Sequence, residues 1–246
     1  MTLPATSKAA IVTLAIEISN PASHPGSGGS VALATGGPFT LLAEEGVAPA
    51  TFEHDDLLPA IDRLLKSAGV QRSQIADVAV SIGPGGFTST RVACAAGKLI
   101  AEALGATCRG VPSALVAFAD DQRPQAAPGK SVAIALASKK GSAWVAILPE
   151  GIPTPAHAHA ACDGRVMTAE QLAGAHPAIV LADGHLDESI RAAMQIAGVP
   201  IHTPRFAAST LARVSTLLPP IDGEHLLPIY PRQPEAVTLW QQRGRG

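Results

Sequence analysis

The sequence is poor in aromatic residues and in charge, and each shortage argues against a class of protein. Aromatic residues make up 3% of the 246 residues and charged residues 15%, whereas hydrophobic residues make up 47%. A core of aliphatic side chains is therefore available, which argues against a disordered chain. The formal net charge of −2 argues against a dedicated nucleic-acid surface, because such surfaces carry a strong basic excess.

The chain is also poor in cysteine and has no long hydrophobic run. Its three cysteines, Cys94, Cys108 and Cys162, show no C-x-x-C spacing, which argues against a disulfide framework and against a zinc ribbon. This usage suits a reducing compartment. No apolar run reaches the roughly 18 residues that a membrane-spanning helix needs. The apolar run 9–16 is ended by Glu17 without a small-residue cleavage site, so we expect a cytoplasmic protein.

The short motifs of common enzyme classes are missing as well. The sequence has no G-x-S-x-G nucleophile turn, no three-glycine dinucleotide fingerprint and no G-x-x-x-x-G-K-S/T phosphate loop. None of the eight histidines lies four residues from another, as a helical metal pair requires. His157 and His159 alternate in a Pro/Ala-rich segment that we expect to be an exposed loop, and two ligands do not complete a metal site. We therefore predict no metal and no catalytic residue.

The most informative stretch runs from Asp77 to Gly110 and reads as strand, glycine turn, long helix and strand. An apolar, β-branched run at 78–82 ends in a glycine- and proline-rich cluster, which is typical of a buried strand followed by a turn. A helix is predicted from Ser89 to Leu104, with Gly105 as its stop. Its N-cap oxygen is expected from one of three adjacent hydroxyl residues, Thr88, Ser89 or Thr90.

The glycine turn itself has two interpretations. A turn that leads from a strand into a helix presents free N–H groups, so Gly83, Gly85 and Gly86 are a candidate anion-binding turn. A purely structural turn fits the same residues, since no phosphate-loop motif follows.

The predicted helix is apolar over an unusually wide arc. Two adjacent rows along it consist mostly of alanine, glycine and other small or aliphatic residues, whereas a surface helix needs one apolar stripe. One side is expected to cover the helix's own sheet. The other side covers either the same domain or a partner subunit. The candidate partner-binding residues are Thr88, Arg91, Val92, Ala95, Ala96, Leu99 and Ala103.

At these residues the chain resembles a known family. The segment SIGPGGFTSTRVACAAGKLIAEALGATCRGVPSALVAFA is similar to the GPGSFTGLR-helix-GVSSL signature of the TsaB (YeaZ) family. The likeness covers 57–119 well and returns weakly at both ends, where 228–232 resembles a P-x-Y-L-R motif. Three turn residues depart from the pattern, because Gly86 replaces Ser, Ser89 replaces Gly and Thr90 replaces Leu.

The resemblance implies a non-catalytic partner subunit in the bacterial synthesis of threonylcarbamoyladenosine on tRNA. Its partner would be a TsaD-like catalytic subunit, bound through the helix 89–104, with a TsaE-like ATPase as a candidate further member and tRNA contacted only through the complex. A homodimer through the same helix is the expectation when the partner is absent. Tyr230 and Arg232, in the second motif, are candidate docking residues. No cofactor is expected, apart from an open question about a weakly held nucleotide at a subunit interface.

The alternative is an ATP-dependent kinase or acyltransferase of the same superfamily. It would use the glycine turns and Glu17, the acid at the end of the first strand. A solvent-facing Glu17 without a role fits the pattern better. In the second half Ala137 stands where family members often have Asp. Any role that the Asp has in the family is therefore lost in this chain.

The implied fold is α/β, with two ribonuclease-H-like halves of the actin, sugar-kinase and heat-shock-chaperone superfamily and an abbreviated second half. We place the N-terminal half at 1–111, the C-terminal half at 112–234 and a tail at 235–246. The predicted elements of the first half are strands at 10–18, 30–34, 39–42, 78–82 and 108–111, and helices at 57–68 and 89–104. Those of the second half are a helix starting at 112, a hairpin at 131–148, a loop at 151–164, a strand at 178–181, and helices at 168–175, 187–197 and 210–217.

Overall fold

The computed structural model describes residues 11–23, 26–36, 38–51 and 54–232. The predicted tail at 235–246 lies outside the described residues. Within them, no helix is long and apolar enough to cross a membrane.

The first half is built on a five-stranded mixed sheet with the strand order β3-β2-β1-β4-β5. β1 pairs antiparallel with β2 and parallel with β4, so three strands form an antiparallel meander and the last two are reached by helical crossovers. The strands are β1 (Val12–Glu17), β2 (Gly29–Thr35), β3 (Thr40–Val47), β4 (Ile75–Ser81) and β5 (Thr107–Val111). Two helices pack on this sheet, α1 (Leu57–Ala68) and α2 (Phe87–Leu104).

The second half repeats this plan with shorter helices and with three shorter strands. Its sheet has the order β10-β9-β6-β7-β8, which is the same relative order as in the first sheet. The strands are β6 (Ser131–Lys139), β7 (Ser142–Pro149), β8 (Arg165–Thr168), β9 (Ile179–Ala182) and β10 (Ile201–His202), and its helices are α4 (Pro155–Cys162), α5 (Ala169–Gly174) and α6 (Glu188–Ile196). The second half is therefore abbreviated in its helices and in its last three strands, while its sheet keeps five strands.

Two helices join the halves, because each follows the sheet of one half and packs against the other half. α3 (Ser113–Phe118) follows the first sheet but packs against β6 and α4 of the second half. α7 (Ala208–Ser215) follows the second sheet but packs against all five strands of the first. One buried cluster consequently contains Ala15 and Ala79 from the first sheet together with Val132 and Ile134 from the second. The α/β fold with two ribonuclease-H-like halves is thus confirmed.

Local sequence signals placed several elements correctly. α1 has the predicted bounds, because Gly69 adopts the left-handed conformation (φ 65°) and leucines at helical spacing face the core. The capping box of α5 is also present, with Thr168 accepting from the Gln171 amide and the Gln171 side chain accepting in return.

Other elements correct the sequence prediction. The segment predicted as a loop at 151–164 contains α4, whose N-cap Thr154 accepts from the amide of His157. Half of the residues in this helix are alanine, and its buried positions are His157, Ala158 and Ala161, so hydrophobicity gives no contrast between its faces for a periodicity to detect. The short strands β8 and β10 were missed. β3 runs five residues beyond the predicted end at Leu42.

Candidate functional site

The glycine turn (Gly83–Gly86) fixes where α2 begins. The amide of Gly86 donates to the carbonyl oxygen of Ser19 at 2.7 Å, which ties the turn to the segment after β1. A Cβ on Gly85 would overlap that same carbonyl oxygen, so the close approach requires glycine. Gly83 has φ 89°, a left-handed conformation that also favours glycine.

The start of α2 differs from the prediction. The helix begins at Phe87, two residues early, and Gly86 is its N-cap without a side-chain cap. The hydroxyls of Ser89 and Thr90 instead donate to the Gly86 carbonyl, at 3.1 and 2.8 Å. An N-cap side chain has to precede the amides that it caps. Ser89 and Thr90 already lie in the first turn of the helix, so their oxygens are not placed to accept from its first amides.

The inner side of α2 packs on its own sheet through small residues. Ala93, Cys94, Gly97 and Ala101 are buried there. A Cβ on Gly97 would overlap Cγ2 of Val80 on β4, so Gly97 is needed for close packing and does not face a neighbouring molecule. Burial raises the pKa of the Cys94 thiol to about 12, as expected for an inert core cysteine.

The outer face of α2 is open, as far as the described residues show. It comprises the seven residues predicted as partner-binding: Thr88, Arg91, Val92, Ala95, Ala96, Leu99 and Ala103. Leu99 at its centre is 67% exposed, which is unusual for a leucine in the middle of an 18-residue helix. Val92 and Ala96 are half-buried and Thr88, Arg91, Ala95 and Ala103 are exposed. The structure therefore brings the seven residues together on one accessible surface.

An apolar groove extends this surface toward α1. It encloses about 310 Å³ and is lined by aliphatic residues of both helices, including Leu58, Ile61, Ile100 and Leu104. Leu58 is itself exposed at the rim. Ala103 belongs to both the outer face and the groove, so the apolar surface continues from one to the other, with the Asp62–Arg72 ion pair at the groove.

An aromatic pair marks the start of the outer face. Phe87 is 59% exposed and Tyr230 is 50% exposed, and their ring centroids lie 5.7 Å apart. The guanidinium of Arg91 stacks over the Phe87 ring at 5.1 Å. Sequence reasoning missed Phe87, although an aromatic residue directly after a glycine turn was a usable signal in a chain with so few aromatics.

Arg232, the second predicted docking residue, is engaged within the chain. Its guanidinium donates to the carbonyl of Ala137 at 2.7 Å, and to the carbonyl and hydroxyl of Ser142 at 3.2 and 3.0 Å. These bonds attach the C-terminal segment to the hairpin of β6 and β7. Arg232 therefore fixes the segment that carries Tyr230.

The sequence prediction that Glu17 faces solvent is wrong, because the structure buries this residue. Its side chain is buried, and Oε1 accepts from the amide and the hydroxyl of Ser19 at 2.8 and 2.6 Å. Burial raises the pKa of this carboxyl, and hydrogen bonds from Ser19 and Ser81 offset the rise only in part. The sequence could not show the burial, because a strand-end acid more often faces water.

A cleft of about 320 Å³ lies between the halves, next to the glycine turn. Asn20, Gly85 and Gly86 line it from the first half, and Asp183 and His185 from the second. Asp183 was missed, although it directly follows the strand β9, a position comparable to that of Glu17 at the end of β1. Its carboxylate accepts from the amides of Ala137 and His185 at 3.1 and 2.9 Å, so it organises the second half's side of the cleft.

The two alternating histidines are not a pair of exposed ligands. His157 lies in α4 and is buried, with Nδ1 2.6 Å from the Thr154 hydroxyl and Nε2 3.1 Å from the Pro149 carbonyl. Its ring stacks on Phe118 with 4.9 Å between centroids. His159 points to solvent, 3.5 Å from Asp163. Both ring nitrogens of His157 are thus used inside the fold.

Comparisons with known proteins agree with this architecture. A family model described as TsaD, tRNA N6-adenosine threonylcarbamoyltransferase, matches residues 42–143, a span that includes the glycine turn and all of α2. No curated protein matches the sequence significantly.

Two solved structures from Pseudomonas aeruginosa are similar over most of the chain. One is an uncharacterised protein with similarity to peptidase YeaZ, with a TM-score of 0.64 and 18% identity, and it covers 90% of this chain and 100% of its own. The other is YeaZ, with a TM-score of 0.62 and 17% identity over 89% of this chain and 99% of its own. The sequence resemblance and the structural likeness therefore agree: the chain has the fold of the YeaZ (TsaB) proteins.

Proposed function

We propose that this protein is a non-catalytic partner subunit of a tRNA threonylcarbamoyladenosine synthase. It docks a TsaD-like catalytic subunit through the outer face of α2 and activates it by holding it in a competent arrangement. A TsaE-like ATPase joins the assembly, tRNA is contacted only through the complex, and the site of action is the cytoplasm.

The observation that carries the proposal is the open, apolar outer face of α2. A monomeric protein rarely leaves a continuous apolar surface unpartnered, and such a surface marks an interaction site. The exposed residues at its centre, Ala95, Leu99 and Ala103, are small except for one leucine. Small side chains let a second helix approach closely, whereas the leucine supplies a projection that a partner's groove can receive.

The family match supports a helix as the partner element. Because the TsaD family model spans the glycine turn and α2, a TsaD-like subunit is expected to carry an equivalent helix. Two equivalent helices with small outer residues pack in a compact bundle. In the absence of the partner, the same face would pair with the face of a second copy, as the isologous interface of a two-fold dimer requires.

The test is to place charge on the outer face and to compare it with a matched site elsewhere. Leu99→Asp and Ala95→Arg are expected to weaken binding to a TsaD-like protein of the same cell by at least about a hundredfold, because each puts an unpaired charge into an apolar contact. Ile196→Asp and Ala192→Arg are the controls, since they change exposed residues of α6, the equivalent helix of the second half. Calorimetry measures the affinities, and circular dichroism confirms folding.

Unchanged affinity in both α2 variants would contradict the proposal. Gly97→Glu is unsuitable for this test, because Gly97 packs on Val80 and its replacement would disturb the fold.

The enzyme alternative has less support. It needs Glu17 to hold magnesium and nucleotide, yet this carboxyl is enclosed and its Oε1 is occupied by two bonds from Ser19. Titration with magnesium-ATP separates the two functions: micromolar affinity that is lost in Glu17→Ala would favour the enzyme.

A further inference from the structure

Glu17 is the least expected side chain in the fold. It is 0% exposed, and its Oε2 has no hydrogen-bond partner among the described residues. It also forms no ion pair with a described residue. A buried carboxylate without a cation is costly, so a group in this position is favoured only in its neutral form and only where its bonds hold something in place.

What Glu17 holds is Ser19. Oε1 of Glu17 accepts from both the amide and the hydroxyl of Ser19. The Ser19 hydroxyl oxygen lies 3.1 Å from the Ser81 hydroxyl and 2.8 Å from the Ser113 hydroxyl, and the last two hydroxyls lie 2.9 Å apart. These three residues, the serine cluster, connect the ends of β1 and β4 to the start of α3. All are buried, so each bond is made away from water.

Ser19 is bonded to the glycine turn. The Ser19 carbonyl oxygen accepts from the amide of Gly86, and a Cβ on Gly85 would overlap the same oxygen. The neighbouring Asn20 amide donates to the Ser19 hydroxyl at 2.9 Å and reaches the Pro84 carbonyl at 3.5 Å. From the other side, the amide of Ser113 donates to the Gly83 carbonyl at 2.8 Å. Hydrogen bonds thus connect the Glu17 carboxyl, through Ser19, to the turn from which α2 begins.

The groups around Glu17 are neutral. Ser30 lies opposite on β2, Ser81 on β4 and Ser113 on α3, while Glu44 on β3 is bound to the Ser30 hydroxyl and so lies one strand further away. Across the cleft, the turn faces Lys139, Asp183 and His185. Burial is the main cause of the raised pKa of Glu17, and no charged neighbour contributes to it.

We propose that Glu17 is a positioning residue for partner binding: its carboxyl fixes Ser19, and Ser19 fixes the glycine turn from which the outer face of α2 starts. The inference rests on the proposed function for its last step, the link to the partner. Its earlier steps concern the free protein alone.

The experiment compares an acceptor with a side chain that merely fills the space. Glu17→Gln keeps an oxygen for Ser19 in a neutral group, whereas Glu17→Leu fills a similar volume without an acceptor. Glu170→Gln, at an exposed acid of α5, is the control. Hydrogen–deuterium exchange of the Gly86 and Thr90 amides, which donate to the carbonyls of Ser19 and Gly86, is measured in the free protein. The affinity for the TsaD-like subunit is measured separately.

We expect the Leu variant to fold, to exchange these amides at least about tenfold faster and to bind the partner about tenfold more weakly, as the loss of one or two buried hydrogen bonds implies. The Gln and control variants are expected to stay within about twofold of the wild type. Wild-type protection in the Leu variant, or its loss in the Gln variant, would overturn the proposal, and so would lost protection with unchanged affinity. If Leu99→Asp and Ala95→Arg both leave binding intact while the exchange result stands, the proposed function fails and the role of Glu17 in the turn survives.

Discussion

The ring of Phe87 packs against the ring of Tyr230, with 5.7 Å between their centroids. This contact joins the first residue of α2 to the C-terminal segment, which is held by a bond from the Ile229 amide to the Ile82 carbonyl at 2.8 Å. Half-exposed aromatic rings next to an arginine are typical of the residues that dominate interface energies. The pair therefore extends the outer face of α2 beyond the helix itself.

Removing the Tyr230 ring tests this extension. Tyr230→Ala is expected to weaken binding to the TsaD-like subunit by about 2 kcal/mol, which is roughly thirtyfold, because it removes an aromatic anchor and leaves Phe87 unsupported. Tyr230→Phe keeps the ring and should bind like the wild type. Isothermal calorimetry measures the affinity of the wild type, Tyr230→Ala and Tyr230→Phe for the TsaD-like subunit. An affinity loss in the Phe variant that equals the loss in the Ala variant would show that the hydroxyl, and not the ring, is used.

A buried ion pair gives the second prediction. Arg123 and Glu150 form two parallel bonds of 2.9 and 2.8 Å, and the guanidinium also stacks on Phe118 at 4.5 Å. Glu150→Ala leaves a buried guanidinium unpaired and is expected to lower the free energy of unfolding by about 3–5 kcal/mol. Arg123→Met combined with Glu150→Leu should recover most of the loss, as urea unfolding can measure. A mild effect of Glu150→Ala would indicate that the carbonyls around Arg123 suffice.

The same pair predicts sensitivity to acid. Hydrogen bonds from Arg123 are the largest cause of the lowered pKa of Glu150. Because the folded-state pKa lies below the unfolded value of 4.5, the stability from this group is present above about pH 4.5 and is lost as the pH falls through the folded pKa. Urea unfolding between pH 3 and pH 6 should show this loss in the wild type and a smaller one in Glu150→Gln. Parallel pH profiles of the two proteins would contradict the assignment.

Gly97 provides a test of packing inside the first half. Gly97→Ala would push a Cβ into Val80, so we expect it to destabilise the protein by about 1–3 kcal/mol. Gly174→Ala is the control, since Gly174 also lies in a helix but has open space around the position of a Cβ. That change should be neutral or stabilising by up to about 1 kcal/mol. Thermal unfolding compares the two, and equal stability of both variants would show that β4 and α2 separate more easily than the contact implies.

The sequence predicted the parts of the fold that local chemistry determines. A glycine with a left-handed conformation ended α1 where expected, and a capping box started α5. It also placed the seven residues of the outer face on one side of α2, because helical spacing alone decides which residues share a face.

The errors concern properties that only the assembled chain has. Nothing local distinguishes a buried Glu17 from an exposed one, since its burial comes from serines 62 and 94 residues beyond Ser19 in the chain. α4 was missed because alanine gives no contrast between its faces. The cleft acid Asp183 was missed because its position beside the first half follows from the way α3 and α7 cross between the sheets.

Burial of Glu17 predicts how stability changes with pH. Because its folded-state pKa is raised above the unfolded value of 4.5, the folded protein binds more protons than the unfolded chain between those two values. The contribution of this group is therefore greatest below about pH 4.5 and falls as the pH rises toward the folded pKa, opposite in sign to the effect of Glu150. Urea unfolding at several pH values measures the contribution of Glu17 to the free energy of unfolding. Glu17→Gln removes this contribution, whereas Glu170→Gln keeps it. A Gln variant whose stability falls with pH as steeply as that of the wild type would show that Glu17 is ionised in the folded protein, and would require a cation or a water that satisfies Oε2.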